Sequence, residues 1–370
     1  MKRVTPIPDA LQALREGRQV ILVDDEDREN EGDLVLAAEF ATQEAIHFMA
    51  QEARGLICVA LPSDRIDAIG LPPMARKNDA PLGTAFTVSV DAIDCAGSGV
   101  SAADRAHTIR VLMEPGCTAA RLRVPGHMYP LRARPGGVLV RAGQTEGGVD
   151  LSRLAGLRPG AVICEIMNPD GSMMRLDALL EFGAHHGIPV VTVADLIAWR
   201  LDHEPLVQRI AEVAMPTEYG TFRAMVFENP ADTAIHAAMV MGELRRDEPT
   251  LVRVHRADLL TDVFGLRAGA PGLPVGDRLD WSLRRIAKEG KGVVLYLGTE
   301  SDGDRALDTL RGSLGRDTPA RTMNFREFGI GAQILSQLGL GKLRILANHP
   351  FPLIAGRGFG LEVTEWVPLG

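Results

Sequence analysis

"VDDEDRENEGDLVLAAEF", residues 23–40, decides how the rest of the chain reads. Six acids, one arginine and one asparagine fill Asp24 to Glu31. The apolar run VILV (20–23) ends where they begin, and LVLAA (34–38) follows at once. Short apolar runs bounded by polar turns predict strands. A solvated turn is the bland reading of such a charge run. Against it, a block of like charge repels itself unless something neutralises it. Its tight placement between two strands is also how a rigid scaffold holds a working loop. Carboxylates beside an arginine suit a hard cation together with a phosphorylated or polyhydroxylated substrate.

The same alternation continues outward for two hundred residues. GLICVAL (55–61), AFTVSV (85–90), GGVLV (136–140), AVICEI (161–166) and PVVTV (189–193) predict further strands. Between them, helices are expected over 9–16, 42–54, 101–114, 150–157, 176–186 and 195–203. Ser101 with Asp104, and Thr192 with Asp195, have capping-box spacing. Near 203–217 the text changes, and DHEPLVQRIAEVAMPTEYG reads as a helix end and a linker. A second series follows, with strands over 221–228, 234–242, 250–255, 292–298, 343–348 and 361–369 and helices over 278–289 and 331–338. The expected fold class is α/β, layered. Two domains, 1–207 and 208–370, each hold a mixed sheet with covering helices.

Composition narrows the function. With 46% hydrophobic and 24% charged residues, a chain of 370 residues builds an ordinary large core without disulfide staples. A net charge of −8 argues against nucleic acid as a partner. Cys58, Cys95, Cys117 and Cys164 are far apart, so no CxxC redox motif or thiolate metal site is suggested. No apolar run reaches the ~18 residues of a membrane span, and the first residues do not resemble a signal peptide. A cytoplasmic enzyme is the default expectation.

The acidic loop then meets other motifs in order. LGTAFTVSV (82–90), GVSAADR (99–105), RVPGHMYPLRA (123–133), GGVLVRAGQTEGGVDLSRLAG (136–156) and ICEIMNPDGSM (163–173) accompany DDEDRENEGDLV. Together they resemble 3,4-dihydroxy-2-butanone 4-phosphate synthase, an enzyme of riboflavin biosynthesis, across residues 1 to 205. The resemblance implies conversion of ribulose 5-phosphate to L-3,4-dihydroxy-2-butanone 4-phosphate and formate, with Mg²⁺ or Mn²⁺, in a homodimer. It implies Glu29 as a metal-binding carboxylate, and Arg28, Glu29 and Asp33 as substrate contacts, Asp33 also carrying a proton. It implies that Arg141, Ala142, Gly143, Gln144 and Thr145 hold the sugar phosphate, and that Glu165 contacts substrate. His127 and Glu165 match the family's essential histidine and glutamate. Cys58, Ser98 and Ser101 are pocket neighbours in this reading. Each has a structural alternative: an ion pair with arginine for Glu165, an exposed or structural role for His127, a surface role for Arg141, simple packing for Cys58. One departure stands out: the family usually has histidine, the second metal ligand, where this chain has Gln144. An amide oxygen suits a hard cation and suits transition metals poorly. The metal is held by Gln144, or more weakly with water in its place, or activity is lost; the intact remainder favours survival of activity.

In the second half, TLVRVH, LTDVFG, IAKEGKGVVLYL and EFGIGAQIL resemble GTP cyclohydrolase II, whose zinc is held by three cysteines. This half has no cysteine. Asp258 stands about where the first would be, RAGAPG replaces the other two, GTESDGDRAL replaces the phosphate segment, and Phe328, near Arg326, replaces a catalytic tyrosine. A three-cysteine zinc site cannot be built here, so no zinc is expected. Asp258, Asp262 or His255 would make at most a different site. The expectation is a retained fold without its original reaction. A non-catalytic partner in riboflavin synthesis is the rival reading for the whole chain.

Overall fold

In the computed structural model the acidic stretch is the connection of a hairpin. β1 (Val20–Val23) and β2 (Gly32–Ala37) pair antiparallel, with Val23 opposite Gly32. The structure describes residues 4–25, 28–204, 207–229, 234–266, 278–298, 325–348 and 359–369. The chain divides into two compact units, Met1–Trp199 and Arg200–Gly370.

Five more strands join the hairpin in the first unit: β3 (Cys58–Pro62), β4 (Val90–Ala92), β5 (Leu122–Ala133), β6 (Ala161–Glu165) and β7 (Val190–Thr192). Their order is β4-β5-β3-β6-β2-β1-β7. β3–β5 and β1–β7 run parallel and the other pairs antiparallel, so the sheet is mixed. The strands read as unbroken apolar runs because both faces are covered. Ile21, Val23, Leu34, Leu36, Val162 and Cys164 enter one core with the helices α2 (Gln43–Phe48, through Ile46), α4 (Ala102–Met113) and α6 (Leu176–His186). Val20, Leu22, Val35, Ala161 and Ile163 enter the other, with α1 (Ile7–Arg15), α5 (Gln144–Leu154) and α7 (Val193–His203). The remaining helix, α3 (Ser63–Ile69), follows β3.

Several local expectations are corrected. GGVLV forms a 3₁₀ turn at Gly137–Leu139, because Gly136 and Gly137 take φ of 89° and 64°. β5 was not expected as a strand, since Pro125, Gly126 and Pro130 interrupt it. The expected strand 85–90 is reduced to isolated bridges at Phe86 and Thr87, with β4 starting at Val90. Helix α5 begins at Gln144 and not at Asp150. Its Gly147 and Gly148 weaken helix propensity, yet a Cβ at Gly147 would lie 2.4 Å from Leu22, and one at Gly148 2.8 Å from Ala161. Close approach of α5 to the sheet selects glycine there.

The second unit holds another mixed seven-stranded sheet. Its strands are β8 (Gln208–Thr217), β9 (Gly220–Glu228), β10 (Ile235–Met241), β11 (Thr250–Arg256), β12 (Gly292–Leu297), β13 (Lys342–Leu346) and β14 (Glu362–Val367), in the order β14-β13-β11-β12-β10-β9-β8. The helices α8 (Leu259–Asp262), α9 (Arg278–Glu289) and α10 (Phe325–Gln337) accompany them. β8 replaces the expected linker. It is an edge strand exposed over nine of its ten residues, so no buried face imprints a period on its sequence. RAGAPG and most of GTESDGDRAL, and the side chains of Arg326 and Phe328, lie outside the described residues. No described helix is long and apolar enough to cross a membrane.

Candidate active site

Strand parity gathers the candidate residues on one face. Val35 and Ile163 face the core of α1, α5 and α7, and so do Asp33 and Glu165, two residues along each strand. Cys58 lies in that core, and Tyr129 and Leu131 of β5 pack on it, which puts His127 on the same side. The start of α5, with Gln144 and Thr145, closes over this face.

Asp33 and Glu165 are direct cross-strand partners, and such pairs have Cβ atoms about 5 Å apart. Asp33 is buried. Burial above all, and then the charges of Glu165, Glu29, Glu31 and Asp24, push its carboxyl well above the usual range. This environment favours the neutral, protonated form over the carboxylate. Burial and then Glu29 likewise raise Glu31. Glu165 Oε2 accepts from the Leu56 N–H at 2.8 Å. Among the described residues no arginine pairs with Glu165, so the structural ion pair does not form. A Cβ at Gly55 would lie 2.3 Å from the Glu165 carbonyl oxygen and 2.7 Å from Oε2. Gly55→Ala is therefore expected to destabilise the first unit by about 1–3 kcal/mol; a thermal melt matching that of the wild type would refute it.

The described residues of the acidic loop gather around Asp24, whose side chain is buried; Glu26 and Asp27 lie outside the described residues. Its Oδ1 accepts from Glu31 N at 2.8 Å and its Oδ2 from Glu29 N at 3.2 Å. Arg28 Nη1 lies 2.5 Å from Asp24 Oδ2, 2.6 Å from Glu29 Oε2 and 2.9 Å from Gln144 Oε1. Gln144 Nε2 donates to the Glu31 carbonyl at 3.4 Å, which turns the amide oxygen inward. Arg175 secures the end of the loop by donating to the carbonyls of Glu29, at 2.7 Å, and Asn30.

Gly143 caps α5, so the first amides of that helix face the exposed Ala142 turn. Such a helix start receives anions. Thr145 is buried in the first turn. Arg141 is not a surface residue: Nη1 pairs with the buried Glu146 at 2.6 Å, Nη2 donates to Thr84 Oγ1 at 3.1 Å and Nε to the Leu82 carbonyl at 3.3 Å. Most of its donors are thus engaged in bracing this turn.

His127 is 45% exposed, and its Nδ1 lies 2.8 Å from Asp91 Oδ2. The other oxygen of Asp91 accepts from His127 N at 2.8 Å, so one buried carboxylate fixes both ring and main chain. Gly99, at φ 100°, lets the 97–101 loop pass this carboxylate; a Cβ there would lie 2.2 Å from Asp91 Oδ2. Sequence reasoning missed Asp91, Glu146 and Arg175. Only Asp91 carried a signal, an acid closing the alternating run TVSVDA.

Cys58 packs as a small apolar residue, and burial, then Glu165 and Asp33, push its thiol up. Ser101 caps α4, accepting from Asp104 N at 3.0 Å, while Ser98 is exposed. In the second unit Asp258 caps α8 by accepting from Leu260 and Thr261 amides. Asp262 accepts from His255 Nε2 at 2.9 Å and Tyr296 at 3.0 Å. Burial pushes the Asp262 carboxyl up, but these bonds bring it below the usual range. Among the described residues no three His, Cys, Asp or Glu side chains form a metal cluster.

Comparison with known proteins adds an independent line. The model of the 3,4-dihydroxy-2-butanone 4-phosphate synthase family matches residues 8–199, and that of GTP cyclohydrolase II matches residues 208–368. A 3,4-dihydroxy-2-butanone 4-phosphate synthase of Pseudomonas syringae pv. tomato is 45% identical over 98% of both chains. RibBX, a two-domain 3,4-dihydroxy-2-butanone 4-phosphate synthase from A. baumannii, superposes with a TM-score of 0.80 at 37% identity, covering 98% of this chain and 99% of that one. A 3,4-dihydroxy-2-butanone 4-phosphate synthase solved in complex with two magnesium ions is 44% identical, covers 54% of this chain and 98% of its own, and has a TM-score of 0.52. With the loop, the acid pair and the α5 turn all inside the matched first segment, the chain belongs to the 3,4-dihydroxy-2-butanone 4-phosphate synthase family and carries a GTP cyclohydrolase II domain behind it.

Proposed function

We propose that this protein converts ribulose 5-phosphate to L-3,4-dihydroxy-2-butanone 4-phosphate and formate for riboflavin biosynthesis. The observation that carries this reading is the buried Asp33 directly opposite Glu165, under a turn suited to an anion. Enolisation of a sugar phosphate needs a base at carbon and an acid for the neighbouring oxygen. Glu165, oriented by the Leu56 N–H, serves as base, and Asp33, whose burial favours the protonated form, serves as acid. His127, set by Asp91 so that Nε2 faces outward, moves a second proton. Arg28, the Gln144 and Thr145 amides and the Thr145 hydroxyl receive the phosphate, with Arg141, whose carbonyl accepts from Gly143 N at 2.8 Å, and Ala142 shaping the turn.

A divalent ion fits this chain, because Asp24, Glu29 and Gln144 already direct three oxygens at the cationic Arg28 Nη1. Glu29 and Gln144, joined by Asp24, would hold Mg²⁺ or Mn²⁺, which when bound supplies a Lewis acid for the sugar oxygens. Two carboxylates and an amide match an ion that keeps several waters. The division is a synthase domain over 1–207 and, over 208–370, a cyclohydrolase-like domain that does not open GTP. The active assembly is a homodimer.

The test is formate release from ribulose 5-phosphate with Mg²⁺, beside Gln144→His and Glu165→Ala. The wild type is expected to release formate, Glu165→Ala to abolish it, and Gln144→His to change the rate by less than about tenfold. Gln144 is also the observation that favours the second reading, a non-catalytic partner. Formate from Gln144→His alone would establish that reading instead.

A further inference from the structure

We propose that the Arg28 guanidinium is the resident cation of the divalent-ion pocket and that the metal enters by exchanging with it. The inference rests on the reading that this pocket takes a divalent ion. Arg28 Nη1 carries two hydrogens, yet three oxygens lie 2.5, 2.6 and 2.9 Å from it. With three acceptors for two hydrogens at least one bond is shared, so the three oxygens converge on one positive centre more closely than hydrogen bonding to a single donor requires. The oxygens are Asp24 Oδ2, Glu29 Oε2 and Gln144 Oε1, contributed by two parts of the chain more than a hundred residues apart. The Glu31 carbonyl holds the Gln144 amide with its oxygen inward. Without a cation, two carboxylates would face each other beside an amide dipole of the same sign. Arg28 is 16% exposed, so it neutralises them from a largely buried position.

The guanidinium also has somewhere to go. A Cβ at Gly143 would lie 3.0 Å from Arg28 Nη2, so its far side already borders the anion-receiving start of α5. An ion entering among the three oxygens releases Nη1, and Arg28 becomes free for a phosphate at that turn. Metal and phosphate binding are thereby coupled: a phosphate draws Arg28 out of competition with the ion, the ion frees Arg28 for the phosphate, and linkage makes the effect reciprocal. The ligand-free protein binds the metal more weakly than its oxygens alone would.

The test is Mn²⁺ binding to the full-length protein without substrate, read from the electron paramagnetic resonance of free Mn²⁺. Arg28→Ala is expected to bind roughly tenfold tighter than the wild type or more. Millimolar methylguanidinium is expected to reverse that gain in Arg28→Ala and to leave the wild type unchanged. Equal or weaker binding by the variant, with the wild type binding Mn²⁺, overturns the exchange. A gain insensitive to methylguanidinium also overturns it, because it would reflect long-range repulsion without occupancy. No Mn²⁺ bound by either protein would remove the divalent-ion reading itself.

Discussion

Glu165→Gln is expected to lower formate release from ribulose 5-phosphate by about 10²–10⁴-fold, the usual contribution of a positioned base. The melting temperature is expected to stay within a few degrees of the wild type. The substitution keeps the volume of the side chain, and the amide oxygen can still accept from the Leu56 N–H. What it removes is the charge and the ability to take a proton. It also removes the second-largest influence on Asp33, after burial. The pH profile should therefore change along with the rate. Single-turnover formate release from pH 5 to 9 measures both, and a variant within threefold of the wild type would exclude Glu165 as the base.

Asp33→Asn is expected to abolish proton donation, with a fall in rate of comparable size, and to stabilise the protein in a pH-dependent way. The folded chain holds the Asp33 proton to higher pH than the unfolded chain does. Between the ordinary aspartate range near 3.9 and that raised value, the folded state binds more protons. Stability thus falls as pH rises through this window, and an asparagine, neutral throughout, escapes the fall. Wild type and variant should melt together below about pH 4 and separate above it. The separation is worth roughly 2–4 °C for each kcal/mol in a domain of this size. Scanning calorimetry at pH 4, 6 and 8 decides this. A gap that does not grow with pH would mean that Asp33 is ionised in the native protein.

The apolar runs made β1, β2, β6 and β7 legible, because a strand covered on both faces is apolar over most of its length, with Asp33 and Glu165 only at the ends of the runs. The C-terminal strands β9 to β14 were legible from their own apolar runs although β9, β10 and β14 carry exposed positions, and α6 came out with its bounds. Elements failed to show where another demand overrode local preference. The glycines of α5 look like a loop until the sheet beneath them is seen. The prolines of β5 look like turns, and the exposed edge strand β8 has no buried side to set a pattern. The candidate residues were legible through the family motifs, not through spacing alone. The contacts that arrange them were not, because Asp91 and His127 are 36 residues apart in the chain and Arg28 and Gln144 are 116 apart. Such pairs become neighbours only through strand order.

One contact has a consequence for how this site tolerates drift. Glu165 is aimed by a main-chain N–H, and the Leu56 side chain that accompanies it is 43% exposed. Every amino acid but proline supplies the same donor. Position 56 can therefore wander through the genetic code without disturbing Glu165, and an alanine scan would pass over it in silence. The orientation of this glutamate is written into the backbone, and Leu56→Pro is the single substitution at that position that erases the donor.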